Sequence, residues 1–140
     1  MQPFSSRATP AAPRAPVIIL AEDDPALREL IARALEMDGH HVIQVATGSA
    51  LMVAVQEIVV RGAEGGALDL LISDVRMPEL SGLDALKLLR DAEVRIPIIL
   101  ITAFSDLWTR AEAARYGAQL LDKPLELRLL RKVVRDSLAA

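Results

Sequence analysis

The chain has 140 residues, 52% of them hydrophobic and 25% charged, with a net charge of −3 and no cysteine. A sequence of one domain's length with that balance folds around a packed core, which excludes wholesale disorder, a disulfide frame and a thiolate metal site. The mild acidity excludes a broad nucleic-acid footprint, and apolar runs such as Val17–Ala21 and Ile98–Ile101 are far too short to insert into a bilayer.

Residues Met1–Pro16 carry Pro3, Pro10, Pro13 and Pro16 among Ala, Ser and Thr. They have no apolar period, so 1–16 reads as a flexible, extended tail and 17–140 as the domain. Arg7 and Arg14 stand beside no apolar block, so no secretory signal is expected. The expected location is cytoplasmic.

From Val17 short apolar runs alternate with amphipathic stretches. Val17–Ala21 reads as a buried strand that stops at Glu22-Asp23-Asp24-Pro25. Asp24 suits the N-cap of the following helix and Pro25 its first position. Leu27, Leu30, Ile31, Ala34 and Leu35 form that helix's apolar line, and Gly39 stops it. His41–Val45 reads as a second strand, Ser49–Val60 as a second helix, and Arg61–Ala67 as a loop containing Gly62, Gly65 and Gly66. Leu68–Ser73 is a third strand ending at Asp74. Ser81 or Gly82 opens a helix through Leu83, Leu86 and Leu89. Ile96–Ile101 is a fourth strand ending at Thr102. Ser105 is placed to cap a helix whose core line runs through Leu107, Ala111 and Ala114, closed by Gly117. Gln119–Asp122 is a fifth strand, ending at Lys123-Pro124. The last helix puts Leu130, Val133, Val134 and Ser137 on one face.

Five strands alternating with five helices predict an α/β fold, a doubly wound parallel sheet covered on both faces. In such sheets the binding crevice lies beyond the carboxyl ends of the strands. Glu22-Asp23, Asp74, Thr102 and Lys123 stand at four of those ends, so the polar groups with chemistry converge on one rim.

Carboxylates about 4 Å apart repel by about 4 kcal/mol at an effective dielectric of about 20. A cluster of Glu22, Asp23 and Asp74 therefore calls for a proton or a cation among them. Oxygen ligands without His or Cys point to a hard cation such as Mg²⁺ or Mn²⁺. Lys123 adds a fixed positive charge and Thr102 a hydroxyl. Cation, ammonium and hydroxyl together suit a phosphoryl group, with Asp74 as the nucleophile. Each feature has a plainer explanation taken alone: an acidic pair as a helix cap, Asp74 as a turn former, Lys123-Pro124 as a loop. Their joint placement on one rim favours the chemistry.

Four segments carry a resemblance: Ile18–Asp24, Leu71–Pro78 with Gly82, Ile101-Thr102-Ala103, and Asp122-Lys123-Pro124. In this order and spacing the chain resembles the receiver domains of bacterial two-component response regulators from about Val17 to Leu138. The resemblance implies a flavodoxin-like fold of strand order 2-1-3-4-5. It implies Asp74 as the phospho-acceptor, and Glu22, Asp23, Asp74 and the backbone carbonyl of Arg76 as metal ligands. Asp24 is left over to cap a helix. Thr102 and Lys123 would each bind a phosphoryl oxygen, and the Lys123-Pro124 bond would be cis. Arg76 and Phe104 occupy positions that tune dephosphorylation. The stretch Ile101–Leu107 looks nearest to receivers of the nitrogen-regulation type.

Three departures follow. The family often has Tyr or Phe where Leu120 stands, so no ring is there to couple with Thr102; the switch and output residues would be Thr102, Leu120 and Trp108. The span Gly48–Asp74 is several residues longer than usual. Nothing after the last helix forms a DNA-binding unit, so output is expected through another protein, or through a part outside this chain. Implied partners are a sensor histidine kinase or phosphotransfer protein and a downstream target, with no direct nucleic acid; the chain is read as a phospho-acceptor and not an enzyme. Alternatives are a degenerate receiver serving as a binding module, the receiver part of a longer regulator, and an aspartate-nucleophile phosphatase. The last wants an acid where Arg76 stands.

Overall fold

The computed structural model describes residues 14–65 and 68–140. Five parallel strands, β1 (Val17–Ala21), β2 (His41–Val45), β3 (Leu70–Asp74), β4 (Ile98–Thr102) and β5 (Gln119–Asp122), line up in the order β2-β1-β3-β4-β5. Between and after them run α1 (Pro25–Met37), α2 (Gly48–Gly65), α3 (Gly82–Asp91), α4 (Leu107–Arg115) and α5 (Leu127–Ala139). This is the predicted fold class and strand order.

The continuous apolar runs of the central strands follow from helices on both faces. All five residues of β3 and of β4 are buried. Side chains alternate between two cores: Ile18, Leu20, Leu70 and Ile72 meet Ile31 and Leu35 of α1 and Leu130 and Val134 of α5. Ile19, Ala21, Leu71 and Leu100 meet Leu51 of α2, Leu86 of α3 and Ala113 of α4. Each fully buried Leu or Ile contributes roughly 1.5–3 kcal/mol.

The helix starts follow local chemistry. Asp24 accepts hydrogen bonds from Ala26 N–H and Leu27 N–H, with Pro25 in the first turn, as predicted. Ser81 and Asp84 form a reciprocal capping box on α3.

Several expectations need correction. In α1, Leu30 is 54% exposed, and Ala32 joins Ile31, Ala34 and Leu35 as buried residues. The helix α2 runs on through Gly65, across most of the span read as a loop from Arg61 to Ala67. Gly there weakens a helix without ending it when the apolar face of the preceding turns is already packed. β3 and β4 each begin two residues later than predicted and include Asp74 and Thr102. The cap of α4 is Asp106, which accepts from Thr109 N–H at 2.7 Å, and not Ser105.

The core line of α4 also differs. Leu107 is 86% exposed, Ala111 and Ala114 are exposed, and the buried residues are Thr109 and Ala113. Polar contacts with α3 turn the helix: Lys87 Nζ pairs with Glu112 at 2.9 Å, and Arg90 donates to the carbonyl of Tyr116 at the end of α4. On α5, Leu130 and Val134 are buried and Val133 and Ser137 half-buried, so that face is where the spacing put it.

The tail expected over 1–16 lies largely outside the described residues. Residues 14–16 hold no helix or strand, and Arg14 pairs with Asp69 at 3.0 Å.

Candidate functional site

The site grows from where the strands end. In β1 the chain leaves Ala21 with Glu22 N–H donating to Val45 O, which turns Glu22 inward and leaves its side chain 1% exposed. One oxygen, Oε2, accepts from Asp24 N–H at 3.1 Å. The other, Oε1, lies 3.1 Å from Lys123 Nζ as an ion pair but accepts no hydrogen bond. Asp23 is exposed.

Asp74 closes β3 and is 5% exposed. Its Oδ1 accepts from Arg76 N–H at 3.1 Å, and its Oδ2 from Lys123 Nζ at 2.8 Å. A close approach sits beneath it: a Cβ on Gly82 would stand 2.6 Å from Asp74 O, so only glycine lets α3 start there. The peptide bond Lys123-Pro124 is cis.

Oxygens of Glu22, Asp23 and Asp74 all lie within 4.8 Å of one another. That spacing suits a hard cation held by carboxylates. The buried Glu22 Oε1 has the Lys123 ammonium at 3.1 Å but no hydrogen bond, which leaves it acceptor capacity for such an ion, so the all-oxygen donor set fits Mg²⁺ or Mn²⁺.

Electrostatics agree. Burial pushes the Glu22 carboxyl above its usual range, against the opposing Asp24 N–H and Lys123 and with the help of Asp74. Burial by itself would lower the Lys123 ammonium, but the hydrogen bond to Asp74 and the negative charges of Asp74 and Glu22 outweigh it and hold Lys123 above its usual range. Lys123 stays charged, and its charge is what the two buried carboxylates share.

Thr102 is fully buried at the end of β4. Its hydroxyl donates to Phe104 O and accepts from Phe104 N–H, both at 3.1 Å, so in this state its bonds are spent on the β4–α4 loop. Phe104 is 61% exposed, with the Arg76 guanidinium 5.6 Å from its ring centroid. Leu120 is half-buried against the core cluster that includes Ala113 of α4. Trp108 is 60% exposed, with Lys87 Nζ 5.5 Å from its ring.

The structure thus brings together Glu22, Asp23, Asp74 and Lys123, and sets Thr102, Arg76 and Phe104 around the adjoining loops. Arg28 was not singled out from sequence, yet its guanidinium donates to Glu22 O at 2.8 Å and braces the acidic turn. Its signal was its place one turn into α1, four residues after Asp24. The contacts of Glu79 with Ser49 were also missed.

The family model for the response regulator receiver domain matches residues 18–135. Response regulator protein FleR of Pseudomonas aeruginosa is 37% identical over 119 residues, 84% of this chain and 23% of that protein. Response regulator receiver protein CpdR of Brucella abortus is 30% identical over 124 residues, 88% of this chain and 97% of that protein. The chain therefore spans about a quarter of the length of some relatives and nearly all of another. Among solved structures, the signal receiver domain of a putative LuxO repressor protein from Vibrio parahaemolyticus superposes with a TM-score of 0.76 at 25% identity, covering 89% of this chain and 91% of that one. Among the described residues no helix is long and apolar enough to cross a membrane.

Proposed function

The chain belongs to the response regulator receiver domain family of two-component systems, and from that premise we propose that Asp74 accepts a phosphoryl group from a histidine kinase or phosphotransfer protein. The observation that carries the proposal is the placement of Asp74, buried, bonded to Lys123 Nζ at 2.8 Å and crowded by Glu22 and Asp23 within 4.8 Å.

In the transfer, a carboxylate oxygen of Asp74 forms a bond to phosphorus while the phosphorus–nitrogen bond of phosphohistidine breaks. The electron pair leaves with the imidazole, which takes up a proton. Lys123 meets the charge on one phosphoryl oxygen, at no cost of reorganisation because it already stands at Asp74. The Thr102 hydroxyl exchanges its bonds with Phe104 for one to a second oxygen, which pulls the β4–α4 loop inward. Glu22, Asp23, Asp74 and the Arg76 carbonyl would hold Mg²⁺ or Mn²⁺, which when bound neutralises charge on the phosphoryl oxygens. Loss of the phosphoryl group to water returns Asp74, and Arg76 and Phe104 govern how fast.

The signal then leaves by protein–protein contact in the cytoplasm, through the face reached from the Thr102 loop by way of Trp108, with Leu120 beneath it. Phosphotransfer from a panel of phosphorylated histidine kinases tests this reading. It expects one or a few donors to load wild type and none to load Asp74→Asn; transfer to the variant at the wild-type rate overturns it.

A further inference from the structure

The loop between β3 and α3, residues 75–81, touches the start of α2 in a way that the acceptor chemistry does not require. Glu79 Oε1 accepts from Ser49 N–H at 3.1 Å and also from the Ser49 hydroxyl, across 30 residues of sequence. A carboxylate there meets the positive end of the α2 dipole. The backbones themselves meet: a Cβ on Gly48 would stand 2.2 Å from Pro78 O and 2.4 Å from Leu80 N. Glu79 itself has φ +80°, a left-handed conformation that favours glycine and persists in a glutamate only where its surroundings hold it. On either side of it, Met77 and Leu80 are buried in the same core cluster as Leu51 and Val55 of α2.

This loop is the one that leaves Asp74. Arg76 N–H is tied to Asp74 Oδ1, and Met77, the next residue, is anchored in the core. The Arg76 carbonyl lies between those two fixed points, and Glu79 fixes the loop's far side. We propose that Glu79 and Ser49, with Gly48 giving the backbones room to meet, clamp the β3–α3 loop to α2 and so position the Arg76 carbonyl for divalent-cation binding. The clamp rests on the acceptor-site reading above, and it makes Glu79 a positioning residue with no contact to the ion.

Isothermal titration of Mg²⁺ into wild type, Glu79→Ala, Glu79→Gln, Ser49→Ala and the Ser49→Ala/Glu79→Ala double variant tests it, with phosphorylation rates measured at saturating Mg²⁺. Glu79→Ala is expected to weaken Mg²⁺ binding about tenfold, the scale of outer partners that orient metal ligands. Glu79→Gln keeps an oxygen acceptor and is expected to recover most of that loss, which a change in overall charge would not allow. Ser49→Ala is expected to add little once Glu79 is gone, and the rate at saturating Mg²⁺ is expected to hold. Hydrogen exchange gives a second readout: Mg²⁺ slows exchange of the Ser49 amide in wild type and not in Glu79→Ala. Wild-type affinity in Glu79→Ala, or an equal loss in Glu79→Gln, overturns the clamp and leaves the acceptor site standing. Wild type that binds no Mg²⁺ overturns both.

Discussion

Lys123 Nζ stands 2.8 Å from Asp74 Oδ2, reaching over β4 to join residues 49 apart in sequence. Two carboxylates, Asp74 and Glu22, share that ammonium, and both are nearly closed to solvent. Removing Lys123 strands their charge. Lys123→Ala is expected to destabilise the metal-free protein by on the order of 2 kcal/mol, between the values for exposed and buried pairs. Because Mg²⁺ would restore the missing positive charge, its effect on Tm should be larger in the variant than in wild type. Thermal melts with and without Mg²⁺ read both effects, and an equal response in the two proteins contradicts the shared-charge account.

Asp23 is the exposed member of the acidic cluster and does no visible work in the core. Asp23→Ala is expected not to lower the metal-free Tm, and to raise it to the extent that repulsion from Glu22 and Asp74 is relieved. It should abolish both the Mg²⁺-dependent rise in Tm and the phosphorylation of Asp74. A variant that still responds to Mg²⁺ like wild type removes the cation site at these residues.

Phe104 and Arg76 stack at the edge of the acceptor, with 5.6 Å between guanidinium carbon and ring centroid. The proposed function has this pair obstruct a water approaching the phosphoryl group. Phe104→Ala is expected to lose phosphate several-fold faster than wild type, followed by the decay of isolated phosphoprotein in Mg²⁺ buffer. Equal or slower decay counts against shielding.

Trp108 reports on the β4–α4 loop. Phosphorylation adds up to about two negative charges beside Thr102. Moving the Thr102 hydroxyl breaks its two bonds to Phe104, four residues before Trp108. Activation with a small phosphodonor and Mg²⁺ is expected to change Trp108 emission. Asp74→Asn should show no change, and Thr102→Ala should accept phosphate with a reduced change. A full response in Thr102→Ala places the route elsewhere.

Asp38, at the end of α1, accepts two hydrogen bonds from Arg131 of α5. The bond from Arg131 foremost, and its charge, hold the Asp38 carboxyl below its usual range. The sign follows: with the folded value depressed, the stabilisation is complete above the ordinary Asp range and is lost as pH falls through the folded value. Asp38→Asn is expected to unfold at slightly higher pH in acid titrations followed by circular dichroism. The gap between variant and wild type should close at low pH. A gap that widens on acidification contradicts the pairing.

Most of the fold was legible because a parallel sheet buries its strands on both faces. Val17–Ala21 and Ile98–Ile101 are apolar without alternation, and each run is followed by the polar residue that forms the rim. The cluster Glu22, Asp23, Asp74 and Lys123 followed from that geometry alone. The errors lie where apolar content and packing part company. Leu107 is apolar and 86% exposed, while Thr109 and Ala113 face inward, because Lys87 and Arg90 of α3 set the turn of α4 through polar contacts that leave no periodicity. Gly62 and Gly65 read as a loop although α2 continues through Gly65. The Glu79–Ser49 contact joins two residues whose local sequence gives no sign of a partner; Gly48 at a helix start was the nearest clue.

The measurement that tests the central claim most directly is the intact mass of the protein after incubation with a small acyl phosphate, with and without Mg²⁺. The account predicts the gain of a single phosphoryl group, only with Mg²⁺, mapped to Asp74 by borohydride reduction and absent in Asp74→Asn. No covalent gain, a gain on Asp74→Asn, or sustained release of phosphate from many substrates without an adduct would contradict it.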